Sequence, residues 1–198
     1  MAEESETVSS YVEMIATLRT FLDTLAAAKP DEPAIADVKN KLQDLSRTLA
    51  RLAVAEKEQL YGQLRNYPDR GQATQPVVIV DTQNDDEMRG RVTFGRFFLG
   101  RGGAAHGGSI AFLFDDMLGR LANAPPRATT RTAYLHIDFR ALVPIETELQ
   151  VRAQLVSEVG RKRMMRGTIS LGDIVCAEAE GLFVVPRLGF AHVDGAAI

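Results

Sequence analysis

Gly100–Asp116 reads GRGGAAHGGSIAFLFDD, and the rest of the chain takes its place from how this stretch is read. Five glycines crowd into its first nine residues, which is costly unless the backbone must bend sharply or something must come close to it. The run gives way to an apolar segment, Ser109–Leu121, whose length and composition predict a helix. The first-turn N–H groups of such a helix lack partners and, with the helix dipole, favour an anion or a developing oxyanion. Gly107 and Gly108 carry no side chain, so an acceptor atom can reach the backbone there directly.

Asp115 and Asp116 fall in the middle of this segment, among Phe112, Leu113, Phe114, Met117 and Leu118. Adjacent helical residues point about 100° apart, so a mostly buried helix can solvate at most one face. Either one carboxylate is partly desolvated, which makes it a better base near neutral pH, or both lie along the solvent edge.

Downstream of the helix the apolar period changes to two. Ala133, Leu135, Ile137 and Phe139 alternate with Tyr134, His136, Asp138 and Arg140, and Leu149, Val151, Ala153 and Leu155 do the same with polar neighbours. The pattern recurs around Met165–Leu171 and Val175–Phe183, with Gly167, Ala177, Ala179 and Gly181 on the inner face. Upstream, Val77–Val80 and Met88–Phe98 look extended. One-sided alternation predicts an antiparallel sheet with one buried face, and the apolar helix is what can cover it. The fold class is α+β, a sheet wrapped around a central helix.

The first third reads differently. Tyr11, Ile15, Leu18, Leu22 and Leu25 recur at helical spacing, and Ser10 with Glu13 has the form of a capping box starting that helix. Pro30 stops it, and Asp31 with Pro33 suits the start of a second helix. Ile35, Val38, Leu42, Leu45, Leu49 and Leu52 then alternate by three and four, a narrow seam suited to an antiparallel hairpin or a coiled-coil contact. Residues 1–70 are therefore expected to be a helical hairpin used for packing or assembly. The turn-rich Tyr67–Gly71 marks the boundary to a second domain, 71–198.

Composition bounds the function. The 198 residues carry a formal charge of −3, with 25% charged and 45% hydrophobic side chains, so no basic surface announces nucleic acid. Cys176 is the one cysteine, which rules out an intrachain disulfide and a thiolate-rich metal site. The acidic start, MAEESETVSS, does not resemble a secretory signal, and no apolar run reaches the roughly 20 residues of a membrane span. A cytoplasmic location without membrane or nucleic-acid partners is expected.

The pattern His-Gly-Gly-x-x-Ala-x-x-x-Asp, filled by His106, Gly107, Gly108, Ala111 and Asp115, resembles the signature of the hotdog-fold acyl-CoA thioesterases, in particular the phenylacetate-pathway group. Thr132–Arg140, Val143-Pro144-Ile145, Gly160-Arg161-Lys162 and Ala177–Gly181 extend the likeness over roughly 76–186. The resemblance implies the hotdog fold and hydrolysis of an acyl-CoA thioester to free acid and coenzyme A, without metal or other cofactor. By position it makes Asp115 the carboxylate that activates water or attacks the thioester. It gives Gly107 N–H the polarising of the carbonyl, His106 the orienting of substrate or water, and Thr132 a hydroxyl that positions the attacking water. Gly108 is expected to lie against the substrate. Many members carry an asparagine where this chain has Gly100, so that amide's work is missing or done elsewhere.

Spacing adds a constraint. Gly107 and Asp115 on one helix lie about 12 Å apart at 1.5 Å per residue, too far to meet one reacting carbon. The site is therefore expected to join Gly107 of one chain to Asp115 of another, in a homodimer or a dimer of dimers.

Other residues carry open readings. Arg161, Lys162, Arg163 and Arg166 form either a solvated hairpin or, through the first three, a seat for coenzyme A phosphates. His136 is assigned to solvent or an interface, His192 to a bystander's place in the glycine-rich tail, and Cys176 to structure. Three scattered histidines make no metal site. The rival functions are a non-catalytic acyl-CoA-binding hotdog module and a scaffold built around the helical hairpin.

Overall fold

The computed structural model describes residues 2–187, with side chains from residue 6 onward; His192 lies outside them. The chain forms two compact units, one up to Thr74 and one from Gln75.

The first unit holds α1 (Ala2–Ala27) and α2 (Glu32–Ala50). Asp31 caps α2 by accepting from Ala34 N–H at 3.0 Å, with proline in the first turn, as the sequence predicts. The capping box does not hold. Helix α1 begins at Ala2, so Ser10 and Glu13 sit inside it; Ala2, Glu3, Glu4 and Glu6 ahead of them are good helix formers. The unit runs past the Tyr67–Gly71 turn because α1 holds that segment. Tyr11 donates to Gly71 O at 3.2 Å, and Arg19 pairs with Asp69 at 3.3 Å and donates to Gln72 O.

The second unit is one six-stranded antiparallel sheet on a helix. Its elements are β1 (Val78–Gln83), β2 (Glu87–Thr93), α3 (Gly107–Ala122), β3 (Arg131–Phe139), β4 (Glu148–Val159), β5 (Lys162–Leu171) and β6 (Ile174–Val184). The strand order is β1-β2-β4-β5-β6-β3. The extended reading of Met88–Phe98 fails at its end, where Arg96–Phe98 turns as a short 3-10 helix after Gly95.

Ile110, Leu113, Phe114, Met117, Leu118 and Leu121 of α3 pack on the inner sheet face, where Leu149, Val151, Ala153, Met165, Ile169, Ala177 and Phe183 are buried. The small residues explain how closely the helix lies. A Cβ on Gly167 would stand 2.8 Å from Phe114 Cδ1, so only glycine admits the ring.

Strand β3 departs from the simple alternation. It is an edge strand, and Ala133 and Phe139 are exposed although Leu135 and Ile137 pack against the core. A register shift between Thr132 and Tyr134 takes Ala133 out of the alternation, while Phe139 keeps the face of Leu135 and Ile137, opposite Ala177 at the sheet edge. Thr132 pairs with the buried Phe183, whereas Tyr134 pairs with Leu182, so both residues cannot share a face.

Candidate active site

The glycine-rich loop delivers its last residue as a helix cap. Gly102 and Gly103 adopt φ of 64° and 78°, a left-handed turn that glycine enters without strain. Gly100 N–H donates to Ala104 O at 2.8 Å across this turn, Ala105 N–H to Val143 O at 2.8 Å, and His106 N–H to Phe98 O at 2.7 Å. His106 is thus pinned at the N-cap of α3, where its Nδ1 accepts from Gly108 N–H at 2.9 Å. A nitrogen that accepts carries no proton, so the neutral ring bears its hydrogen on Nε2.

The cap accounts for the first-turn donors almost completely. Gly108 is satisfied by the His106 ring, and Ser109 and Ile110 by His106 O at 3.0 and 3.3 Å. Gly107 N–H is left without an acceptor among the described residues. Phe139 lies beside it: a Cβ on Gly107 would be 3.4 Å from the Phe139 Cζ. At Gly100 a Cβ would stand 3.1 Å from His106 Cα, so the absent side chain leaves the loop close against the cap.

The two central carboxylates have separated. Asp116 has a side chain only 8% exposed and pairs with Arg120 Nε at 2.7 Å, one turn on. Asp115 is on the exposed side of α3 and takes a hydrogen bond from Thr132 Oγ1 at 2.7 Å. Thr132 reaches it because the bulge at Ala133 turns the hydroxyl from the outer face to the helix side. The next link fixes the strand itself. Asn123, the C-cap of α3, accepts from Thr130 N–H at 2.7 Å and Thr130 Oγ1 at 2.8 Å. One chain therefore holds Asp115 and Thr132 together at the middle of α3, and Gly107, Gly108 and His106 together at its N-terminal end.

No family model and no curated protein match the sequence. Solved structures do. A crystal structure of a thioesterase superfamily protein matches at a TM-score of 0.74 and 27% identity, over 88% of this chain and 94% of that chain. This is the hotdog fold of the thioesterase superfamily. Two more distant hotdog proteins share the fold. A hypothetical thioesterase from Streptococcus pneumoniae TIGR4, solved with coenzyme A, gives a TM-score of 0.51 at 16% identity over 55% of this chain and 87% of that chain. A Streptococcus mutans UA159 protein bound to acetyl-CoA gives 0.51 at 17%, over 55% and 88%.

The basic hairpin of the hotdog unit divides. Arg163 is only 4% exposed: its Nη1 donates to Ala122 O at 2.7 Å and Ala128 O at 2.6 Å, and its Nε to Glu158 at 2.8 Å. It clamps the C-terminal end of α3 and does not face solvent. Bonding to Arg163 holds the Glu158 carboxyl below the usual range, with the Arg127 charge adding to it. Arg161 and Lys162 stay exposed, although Arg161 also donates to Val185 O at 2.6 Å. The register places Lys162 opposite Val184, and Val184 opposite Arg131. Arg131 is therefore two strands from Lys162, about 10 Å, and next to Thr132. Sequence reading passed over Arg131, and only its place before Thr132 could have marked it.

His136 is exposed beside Asp138 at 3.5 Å on the outer sheet face, and Cys176 is buried. Among the described residues no three metal-ligating side chains gather, and no helix is long and apolar enough to cross a membrane.

Proposed function

We propose that this protein hydrolyses acyl-CoA thioesters at a site built from two chains. The observation that carries the reading is the state of α3's first turn, where Gly107 alone keeps a free N–H. A thioester carbonyl seated there gains a preorganised donor at the positive end of a helix, strongest as negative charge develops on oxygen. His106 Nε2–H is a second donor beside it.

Asp115 supplies the other half. With Thr132 holding Oδ1, the carboxylate either takes a proton from an attacking water or attacks the carbonyl itself. In the first route the carbon–sulfur bond breaks as Asp115 passes the water's proton to the leaving sulfur. In the second, coenzyme A leaves as the thiolate and water then cleaves the acyl–carboxyl anhydride to free acid, restoring Asp115. Eight residues of helix separate Asp115 from Gly107, about 12 Å, so they serve one carbonyl only across a two-fold axis. The bare edge of β3 favours this pairing, since an edge strand offers unpaired backbone groups to a second copy. Arg161, Lys162 and Arg131 are the cations offered to the coenzyme A phosphates. Coenzyme A in two proteins of this fold supports that ligand class.

The test is a thiol-release assay over short, long and aromatic acyl-CoAs. Turnover with at least one class is expected. Saturable binding with no thiol released from any of them would make this a binding module.

A further inference from the structure

We propose that α2 pairs antiparallel with α2 of a second copy of this chain, an association that stands apart from the catalytic reading. Helix α2 has no buried residue in the single chain. Its seam is open to solvent, with Ile35 at 53%, Leu42 at 40%, Leu45 at 60% and Leu49 at 56% exposed, and Leu52, in the turn just past its end, at 69%. Helix α1 does not close it. A cleft of about 800 Å³ remains between Phe21 and Leu25 of α1 and Ile35, Val38 and Leu42 of α2. Another of about 640 Å³ remains between Met14 and Leu49 and Leu52.

The spacing identifies the occupant. Apolar residues alternating strictly by three and four average 3.5 residues, the period of helix-on-helix packing; a lipid or an extended peptide imposes no such period. The order of the intervals, three-four-three-four-three, reads the same in both directions. A two-fold axis between Leu42 and Leu45 therefore matches Val38 with Leu49 and Leu42 with Leu45 within the helix, and sets Ile35 against Leu52 in the turn just past its end. That is the self-complementarity an isologous contact requires.

Charge selects the direction. Lys39 and Lys41 flank the seam near one end, and Ser46 and Thr48 flank it near the other. A parallel pair would gather four lysines at one level, whereas an antiparallel pair sets each Lys41 beside a Thr48 and opposes the helix dipoles. Within the helix Lys41 also pairs with Asp37 at 2.7 Å, and Arg47 with Asp44.

Cross-linking of the full chain tests this, since the one native cysteine is buried. Lys41→Cys with Thr48→Cys, both exposed and outside the seam, is expected to give a covalent dimer with a short bismaleimide. Adding Leu45→Glu is expected to lower the yield at least tenfold. Asn40→Cys with Arg47→Cys, on the far face, sets the collisional background. Yield at that background, or preferential cross-linking of the parallel pair Lys41→Cys with Ser46→Cys, would overturn the proposal.

Discussion

Thr132 donates its hydroxyl hydrogen to Asp115 Oδ1 at 2.7 Å, joining the edge strand to the middle of the central helix. That bond uses the hydroxyl's single hydrogen and leaves Asp115 Oδ2 open to a water or a carbonyl carbon. It sets the carboxylate's direction, so its loss is expected to appear in turnover more than in substrate binding. Thr132→Val removes the donor and keeps the shape. A bond to a charged group is worth about 1.5 to 3 kcal/mol, so kcat is expected to fall roughly 10- to 100-fold, with Thr132→Ser near wild type. Steady-state kinetics on the two variants check this; an unchanged rate in the valine variant would remove Thr132 from the site.

Asp115→Asn is expected to lower hydrolysis by about 10²- to 10⁴-fold or more while leaving fold and assembly intact, because an amide neither accepts the proton nor attacks the thioester. Asp116→Asn is expected to do the reverse. It loosens the pair with Arg120, costing about 1 to 3 kcal/mol of stability, and changes the rate only a few-fold. Assays beside chemical denaturation separate the two. Exchange of these phenotypes would put the wrong carboxylate in the site.

The fold was legible because its signals are periodic. The helices α1 and α2, the alternation in β4, β5 and β6, and the glycine opposite Phe114 survive in the structure, whereas the seam of α2 is left open. The candidate site was legible only in part. His106, Gly107 and Asp115 stand at one helix spacing, but the role of Thr132 depends on the bulge at Ala133, and alternation would have turned its hydroxyl outward. Arg163 looked like its exposed neighbours because charge in a sequence carries no burial. What fixes it is the end of α3, forty-one residues earlier, whose carbonyl it takes.

Arg163 therefore belongs to stability. Arg163→Leu strands the Ala122 and Ala128 carbonyls and is expected to cost about 2 to 4 kcal/mol. Its partner adds a pH signature. The folded-state pKa of Glu158 is depressed, so its contribution is full above the ordinary carboxylate range and is lost as pH falls through the folded value. Urea midpoints of wild type and Glu158→Gln are expected to differ at neutral pH and to converge on acidification. A gap that widens in acid would reverse the assignment.

A fragment beginning near Gln72 isolates the hotdog unit. It is expected to keep a measurable rate per site, with lower stability or fewer associated copies, because the exposed seam of α2 is gone. Hydrolysis and light scattering on this fragment check the division. Loss of turnover in a folded, fully assembled fragment would mean that the helical hairpin shapes the substrate pocket.

The shared site is the central claim, and mixing two inactive variants tests it most directly. Gly107→Val places a branched side chain over the free N–H, in space where the nearest described neighbour to a Cβ is the Phe139 ring at 3.4 Å. Asp115→Asn removes the carboxylate. After subunit exchange about half the dimers are mixed, and each holds one site with both halves undamaged and one with both damaged. Activity is expected to recover to about a quarter of wild type, from two preparations that are each inactive alone. Full exchange with no recovery would contradict a site assembled from Gly107 of one chain and Asp115 of another.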